Sequence, residues 1–167
     1  MHNTRPLAVL FALVLALPLA ACLGGSEVTE PPPPPPVVLV DTTTFAPALG
    51  IDLTAAGWTR TPSGLYYRPL NTVPDTARRV ATGQTLSVRY TGWLANGTQF
   101  APTATLPPFT LGRGAVIAGW DEGIAGMRVG ERRRLLIPPA LGYGARGSGP
   151  IPGNAVLVFD VEVLSAT

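Results

Sequence analysis

Segments able to form a helix are nearly absent from this sequence, and that shortage limits the folds it can adopt. Only the stretch Ala118 to Ala125, within "VIAGWDEGIAGM", fits a helix, and it is short and bounded by Gly119 and Gly126. Glycine and proline, with 19 residues each, interrupt the remainder of the chain. Any fold must therefore be built mainly from strands.

Alternating apolar and polar residues predict several strands in the second half of the chain. In "TLSVRYTGW", Leu86, Val88 and Tyr90 alternate with polar residues, which is typical of a half-buried strand. "VLVFDVEVL" places four apolar residues on one side and Asp160 and Glu162 on the other. "RLLIPP" and "GLYYRPL" predict two further strands. The turn signal Asn96-Gly97 follows the strand predicted in "TLSVRYTGW".

Asp121 and Glu122 lie in the first turn of the predicted helix, where carboxylates favour the positive end of the helix dipole. Adjacent helical residues point about 100° apart, so the two are poorly placed to act as an acid/base pair. We interpret both as structural.

The segment Asp41 to Pro62 allows two interpretations. "FAPALGIDLTAAGW" suits either a short helix or an extended arm packed on the sheet. Burial of its larger apolar side chains would place it in the folded domain. These side chains are Phe45, Leu49, Ile51, Leu53 and Trp58.

The N-terminus has the pattern of an export signal that ends at a cysteine. Arg5 precedes an apolar run that Pro18 interrupts, so the run suits a signal peptide better than a spanning helix. The box Leu19 to Cys22 resembles the bacterial lipoprotein signal, in which the cysteine is lipidated. The alternative is an ordinary secretory signal with an incidental cysteine. We expect Cys22 to carry lipid, because it is the only cysteine and lies at the cleavage boundary.

This signal predicts a lipid-anchored protein of the bacterial cell envelope that faces the periplasm. Leu23 is not the aspartate often associated with inner-membrane retention, so outer-membrane sorting is favoured. Pro31 to Pro36 favour polyproline II, which gives a semi-rigid spacer of roughly 19 Å. A ligand for a proline-binding domain is the other interpretation of this run.

Several kinds of active site are excluded by the residues that the mature chain would lack. His2, the only histidine, lies in the removed signal, and Cys22 would be lipidated. No Cys/His nucleophile, histidine-dependent triad or Cys/His zinc site remains, so we expect no metal and no cofactor. The run Arg132 to Arg134 divides between two strand faces, and we interpret it as solvated sheet surface, not a nucleic-acid patch.

The stretch "GYGARG", Gly142 to Gly147, has the spacing of a dinucleotide-binding loop. Such a loop must open a helix, because the helix N-terminus binds the pyrophosphate. Here two prolines and two further glycines follow, and they prevent a helix at that point. The glycines therefore need another explanation.

Taken together, these features resemble the FKBP-type peptidyl-prolyl isomerases. The matching stretches are "VRYTGWLANGTQF", "PFTLGRGAVIAGWDEGIAGMRVGERRRLLIPPALGYGARG" and "IPGNAVLVFDVEVL", in family order over Leu65 to Leu164. The resemblance implies an α+β fold, in which a strongly bent antiparallel half-barrel wraps around one short helix. We expect a signal peptide (1–21), a lipidated proline-rich linker (22–40), a packed N-terminal extension (41–64) and a monomeric isomerase domain (65–167).

The resemblance also implies an apolar site between helix and sheet. Trp120 would form its floor under the substrate proline, and the Ile117 N–H and the Tyr143 hydroxyl would bond substrate carbonyls. The glycines beside Tyr143 would place that ring on a tight loop. Catalytic roles fall to Tyr90, Phe100, Ile117, Trp120, Tyr143 and Phe159, and substrate-binding roles to Phe109, Val116 and Ile151.

The implied activity suits a chain without conventional catalytic groups. Rotating an X–Pro bond crosses a barrier of about 18–20 kcal/mol but needs no nucleophile or metal. We expect proline-containing exported polypeptides as substrates and tacrolimus-like macrolides as further ligands, with no nucleic-acid partner.

One departure from the family pattern bears on activity. The aspartate that usually follows the phenylalanine is Ala101 here, in "QFAPTATLPPF", and the chain up to Phe109 looks like a proline-rich loop. The alternative function is therefore a proline-peptide binding or chaperone module with reduced or lost turnover. A third is an interaction protein that uses its proline run as a ligand.

Overall fold

Six strands and one helix make up the folded part of the chain, in a computed structural model that describes residues 38–167. The strands form one antiparallel sheet in the order β1-β2-β5-β6-β3-β4. The helix α1 is Ala118–Ile124, and the strands are β1 (Thr59–Arg60), β2 (Tyr66–Pro69), β3 (Thr85–Leu94), β4 (Gln99–Thr110), β5 (Arg132–Ile137) and β6 (Leu157–Ala166). The predicted fold class, a bent sheet around one short helix, is confirmed.

The four strands predicted from alternation are β2, β3, β5 and β6. In β6 the predicted face Leu157, Phe159, Val161 and Val163 is buried, whereas Asp160 lies on the other side. The predicted turn joins β3 to β4 through Asn96 and Gly97. Side chains of alternate strand residues therefore line one face of the sheet.

The proline-rich stretch before Phe109 is a strand, not the loop that we predicted. β4 pairs with β3 along its length, with irregular register between Tyr90 and Gly92 and between Leu86 and Val88. β4 is an edge strand, and prolines are tolerated at edges and bulges, where a missing N–H breaks no ladder bond. The prolines that signal a loop in sequence are thus compatible with this strand.

The inner face of the sheet packs against α1. Gly119 and Gly123 face the sheet, where a methyl group would meet the side chains of Ile137 and Leu135 respectively. These two small residues let the helix lie close to β5. The buried core includes Leu65, Leu86, Val88, Trp120, Ile124, Met127, Leu135, Ile137, Leu157, Phe159, Val161 and Val163.

The outer face of the sheet is covered by the segment that precedes β1. This segment is an extended arm with two short 3₁₀ helices, Val40–Thr42 and Pro47–Leu49. Val40 and Leu49 are buried there. Together with Leu136, Val156 and Val158 they form a second hydrophobic cluster, which we call the outer cluster, and Val38, Phe45, Ala46, Ile51, Leu53, Trp58, Tyr66 and Trp93 pack against it.

Of the arm's two interpretations, the structure therefore has the extended one, in contact with the sheet. The predicted domain boundaries at residues 41 and 65 stay predictions. The predicted signal, Cys22 and the run Pro31 to Pro36 lie outside the described residues.

The three consecutive arginines are not uniformly solvated, contrary to our interpretation. Arg132 is exposed, but Arg133 points to the inner face and is only 8% exposed. Arg134 forms an ion pair with Asp160, with 2.6 Å between Nε and Oδ1, and donates to the Leu49 carbonyl at 2.6 Å. The division between faces was predicted correctly. The helix covers the inner face of the sheet and the arm covers the outer face. Strand spacing in the sequence predicts neither of these contacts.

Candidate active site

A cavity of about 400 Å³ opens between α1 and the inner face of the sheet. Eight of the nine residues predicted for the site line it: Tyr90, Phe100, Val116, Ile117, Trp120, Tyr143, Ile151 and Phe159. Ala101, Leu106, Ala115, Ser148, Gly149 and Pro150 complete the lining. Among residues 38–167, no carboxylate or cationic side chain lines it.

Aromatic rings form the floor and one wall of this cavity. The Trp120 ring meets the Tyr90 ring at 5.0 Å between centroids and the Phe159 ring at 5.3 Å, both edge-to-face. Phe100 meets Phe159 in the same manner at 5.4 Å. Edge-to-face pairs are favourable arrangements, so the four rings hold one another in place.

The Trp120 indole nitrogen is buried and has no hydrogen-bond partner among the residues that the structure describes. The side chain is only 4% exposed, and three aromatic rings surround it. An unpartnered buried N–H is costly, although aromatic rings are weak acceptors for it. Because this N–H is buried, the Trp120 ring presents the cavity with an apolar surface.

Phe109 is the one predicted site residue that the structure does not bring to the cavity. It lies near the end of β4, is 8% exposed and has its ring centroid 6.4 Å from that of Trp120. It packs within the core and supports the floor, and does not line the cavity.

A glycine on β3 creates room for the aromatic wall. Gly92 pairs with Phe159 of β6 and with Ala101 of β4. A methyl group at Gly92 would come within 2.8 Å of the Phe100 and Phe159 rings. The wall therefore requires glycine at this position because any side chain would displace one of the rings.

Ile117, whose backbone N–H the family resemblance predicts as a donor to substrate, lies at the start of α1. Ile117 is the N-cap of the helix, and its carbonyl accepts a hydrogen bond from the Trp120 N–H at 2.8 Å. The Ile117 N–H precedes the helix and makes no bond within it, as is usual for an N-cap. Val116 and Ile117 both line the cavity beside Trp120.

The glycine-rich loop folds back on itself above the cavity. Tyr143 is 38% exposed and lines the cavity mouth. Gly147 has φ +70°, and a methyl group there would overlap the carbonyl oxygen of Ile151. Turns, not a helix, follow the "GYGARG" spacing. The glycines thus permit two backbone segments to cross closely, and the nucleotide-loop interpretation lacks its structural requirement.

Sequence reasoning missed Leu106, Ala115 and the backbone around Gly149 as parts of the lining. Leu106 lies in the stretch that we took for a loop, where irregular register hides the alternation of a strand. Ala101 was noticed as a departure from the family, and the structure places it on the cavity wall.

A metal site needs a cluster of ligand side chains, and a helical membrane anchor needs a long apolar helix. Within residues 38–167, no three histidine, cysteine or acidic side chains lie close enough together to hold a metal ion. In the same range no helix combines the length and the apolar character needed to cross a membrane.

The chain is similar in sequence to two known FK506-binding proteins. FK506-binding protein 2 of Dictyostelium discoideum is 46% identical over 105 residues, which are 60% of this chain and 76% of that protein. An FK506-binding protein of Neisseria meningitidis is 48% identical over 91 residues, 52% of this chain and 84% of that protein.

Solved structures and a family profile agree with these relatives. The crystal structure of AtFKBP13 superposes with a TM-score of 0.59 at 35% identity, over 66% of this chain and 98% of that one. FkpA from Escherichia coli gives 0.59 at 33% identity, over 68% of this chain and 53% of that one. The family profile described as FKBP-type peptidyl-prolyl cis-trans isomerase matches residues 76–164. This chain therefore belongs to the FKBP-type peptidyl-prolyl cis-trans isomerases.

Proposed function

We propose that this isomerase acts on exported polypeptides while anchored to a membrane by lipid on Cys22, and that the aromatic cavity is its catalytic site. One observation carries the assignment of the site. Eight of the nine side chains expected from the family resemblance converge on one cavity, although they come from five parts of the fold: β3, β4, the start of α1, the loop after β5, and β6.

The cavity suits the rotation of an X–Pro amide. The planar amide is dipolar because of resonance, and the twisted amide loses that resonance. An apolar aromatic wall disfavours the dipolar planar state relative to the twisted one, and hydrogen-bond donors at the rim orient the peptide. Trp120 supplies the surface under the proline ring, and the donors are the Ile117 N–H and the Tyr143 hydroxyl.

Replacing Tyr143 by phenylalanine tests the site without disturbing the core, because this side chain is 38% exposed. The hydroxyl is lost and the ring remains. We expect kcat/KM on an X–Pro peptide to fall about 2- to 12-fold, the equivalent of one neutral hydrogen bond. Tyr67→Phe is the matched control, because it removes the same hydroxyl from a tyrosine that packs against the core and does not line the cavity.

Tacrolimus binding is a second test of the same cavity. Binding of this macrolide is what the names of the relatives state for those proteins. For this chain we expect tacrolimus to inhibit turnover and to change tryptophan fluorescence, since Trp120 lies at the cavity floor. Trp120→Phe keeps an aromatic floor and should weaken binding, with circular dichroism as the control for folding. Unchanged affinity would contradict the assignment of the floor.

Ala101 favours a second function, a proline-peptide binding or chaperone module with little turnover. The residue lies on the cavity wall where the family pattern has an aspartate. One charge-assisted hydrogen bond is worth about 1.5–3 kcal/mol, so its loss would slow turnover roughly 10- to 150-fold if it acted only in the transition state. The aromatic wall and the donors remain, and we therefore expect reduced but measurable turnover.

Ala101→Asp separates the two functions. Higher kcat/KM in this variant, with similar stability, supports an impaired isomerase. Binding of proline peptides by the wild type without any rate above background supports the binding module. A fully active wild type that Ala101→Asp leaves unchanged contradicts our account of this position.

The proposal of a lipid anchor rests on the sequence of residues outside the described range. The box Leu19 to Cys22 supports cleavage before the only cysteine, and Pro31 to Pro36 would hold the folded part away from the lipid surface. Several acyl chains would anchor the protein stably, whereas one would hold it only marginally.

Mass spectrometry of the membrane-extracted protein tests this anchor. We expect an N-terminal Cys22 that carries lipid, in the outer-membrane fraction where two membranes exist. Cys22→Ser should release the protein from membranes. A mature chain that begins elsewhere, or that is soluble with Cys22 intact, would contradict the proposal.

A further inference from the structure

The carboxylate of Asp121 joins α1 to the loop that follows β4. One oxygen, Oδ1, accepts a hydrogen bond from the Gly112 N–H at 2.7 Å, and Oδ2 accepts one from the Gly114 N–H at 3.2 Å. Both glycines have left-handed backbone conformations, with φ of +77° and +68°. The carboxylate does not line the cavity, so it is not placed to touch substrate.

The loop held by this carboxylate leads directly into the site. Ala115, Val116 and Ile117 follow Gly114 in sequence, and all three line the cavity. The Asp121 backbone N–H also bonds the Ile117 carbonyl, at 3.3 Å. One residue therefore fixes both ends of the segment from Gly112 to Ile117, through its side chain at the start and its main chain at the end.

Ordering the segment from Gly112 to Ile117 costs much conformational entropy, because it contains two glycines. Residues 112–115 are all exposed, so burial of side chains contributes little to ordering the chain there. Hydrogen bonds to a charged acceptor are about twice as strong as neutral ones. The Asp121 carboxylate is thus well suited to hold the segment in one conformation.

We infer that Asp121 is a positioning residue of the isomerase, which orients the Ile117 N–H and the Val116 side chain by holding the loop before them. The inference rests on the proposed function of the cavity. It assigns the acidic residue beside Trp120 a part in substrate binding, which is more specific than the helix-dipole role expected from its place in the first turn.

Glu122, the next residue, provides a matched control. It is an acid on the same helix, but its carboxylate accepts from the Ser63 hydroxyl, at 2.7 and 2.8 Å, before β2. Neither Ser63 nor Glu122 lines the cavity. Loss of Glu122 removes a charge and a tertiary hydrogen bond from α1 without releasing the loop.

The test compares Asp121→Ala and Asp121→Asn with Glu122→Ala in the full chain, in detergent. We expect Asp121→Ala to raise KM for an X–Pro peptide and the Kd for tacrolimus by about 10-fold, equivalent to one lost charge-assisted hydrogen bond. Asp121→Asn keeps one acceptor oxygen and should lie between Asp121→Ala and the wild type. Glu122→Ala should leave KM and Kd within about 2-fold, although it can lower Tm.

Hydrogen exchange provides a measurement that does not depend on turnover. The amides from Gly112 to Ile117 should exchange faster in Asp121→Ala than in the wild type and in Glu122→Ala. Equal exchange in the two alanine variants overturns the inference, as does an Asp121→Ala protein that loses Tm but keeps wild-type KM and Kd. Failure of the proposed function gives a different result: Tyr143→Phe and Trp120→Phe leave ligand binding unchanged, whereas the exchange difference persists.

Discussion

Arg133 joins three parts of the structure through one side chain. Its Nη2 lies 2.7 Å from a Glu131 carboxylate oxygen, and its Nη1 donates to the Gly123 carbonyl of α1 at 2.9 Å. The guanidinium also lies over the Tyr67 ring, 4.6 Å from its centroid. Both charged side chains of the pair are about nine-tenths buried. Each charge therefore depends on the other for compensation.

Arg133→Ala should lower the free energy of unfolding by about 3–5 kcal/mol, because it leaves the Glu131 carboxylate buried without its counter-charge. Urea denaturation measures the change. Arg132→Ala, one residue earlier but exposed, is the control and should stay within about 0.5 kcal/mol of the wild type. Equal losses for the two variants would show that the buried pair contributes no more than an exposed arginine.

The arginine run shows what strand spacing reveals and what it does not. A period of two correctly divides Arg132 and Arg134 from Arg133. The sequence also contains Glu131 two residues before Arg133, on the same face, and this spacing was a usable signal for an ion pair. Burial of that face depends on where α1 packs, and no local sequence pattern predicts this.

At the scale of elements, α1 is held close to β5 by two glycines spaced one turn apart. Intrinsic propensity favours alanine over glycine within a helix by about 1 kcal/mol. Packing opposes that gain at Gly119, because the methyl group would meet Ile137, a fully buried residue with a stiff, branched side chain. Overpacking typically costs about 1–3 kcal/mol.

Gly119→Ala should therefore destabilise the protein by up to about 2 kcal/mol and also lower kcat/KM, since Trp120 would move with the helix. Thermal unfolding and the peptide assay measure the two effects. Ala118→Ser, at the exposed preceding position, is the control. A more stable Gly119→Ala protein would mean that helix propensity outweighs the close packing.

The elements that sequence reasoning predicted are those with clean alternation or a clear helix boundary. β3 and β6 alternate and were predicted, and so was the span of α1. β4 was missed because its three prolines are loop signals and its register is irregular. The same strand contributes Phe100, Ala101 and Leu106 to the cavity, so one missed element accounts for the missed Leu106.

At the scale of the whole molecule, the sheet has a hydrophobic layer on each face. The inner layer includes the cavity, and the outer cluster is completed by the arm that precedes β1. Val40 and Leu49 are the arm's buried apolar side chains in that cluster. Fully burying each is worth about 1.5–3 kcal/mol, so the arm stabilises the sheet from the side opposite the site.

Removing residues 1–58 should lower stability by about 3–6 kcal/mol, since Leu136 and Val158 would lose their cover. The residual folded protein should keep its affinity for tacrolimus, because no residue of the arm lines the cavity. Removing only residues 1–37 is the control and should leave the unfolding midpoint unchanged. If both truncations are equally stable, the outer cluster contributes little.

The lining of the cavity was predictable to the extent that the family resemblance could locate its residues, whereas the roles of those residues stay predictions. Eight of nine expected residues line the cavity, but Phe109 supports the floor from within the core. Its position near the end of β4 depends on the irregular pairing with β3. The holding of the loop by Asp121 was not predictable, because the same acid satisfies the helix-dipole rule in sequence.

The irregular, proline-containing strand β4 also affects how neighbouring molecules meet. An open sheet exposes two edges, and a long flat edge invites another chain to add to it and begin aggregation. Here one edge is β1, only two residues long, and the other is β4, twelve residues long. Prolines at 102, 107 and 108 leave three positions of β4 without an N–H to offer. The edges of this sheet are therefore poor templates for another copy of the chain, which disfavours joining of the sheets into a continuous fibre.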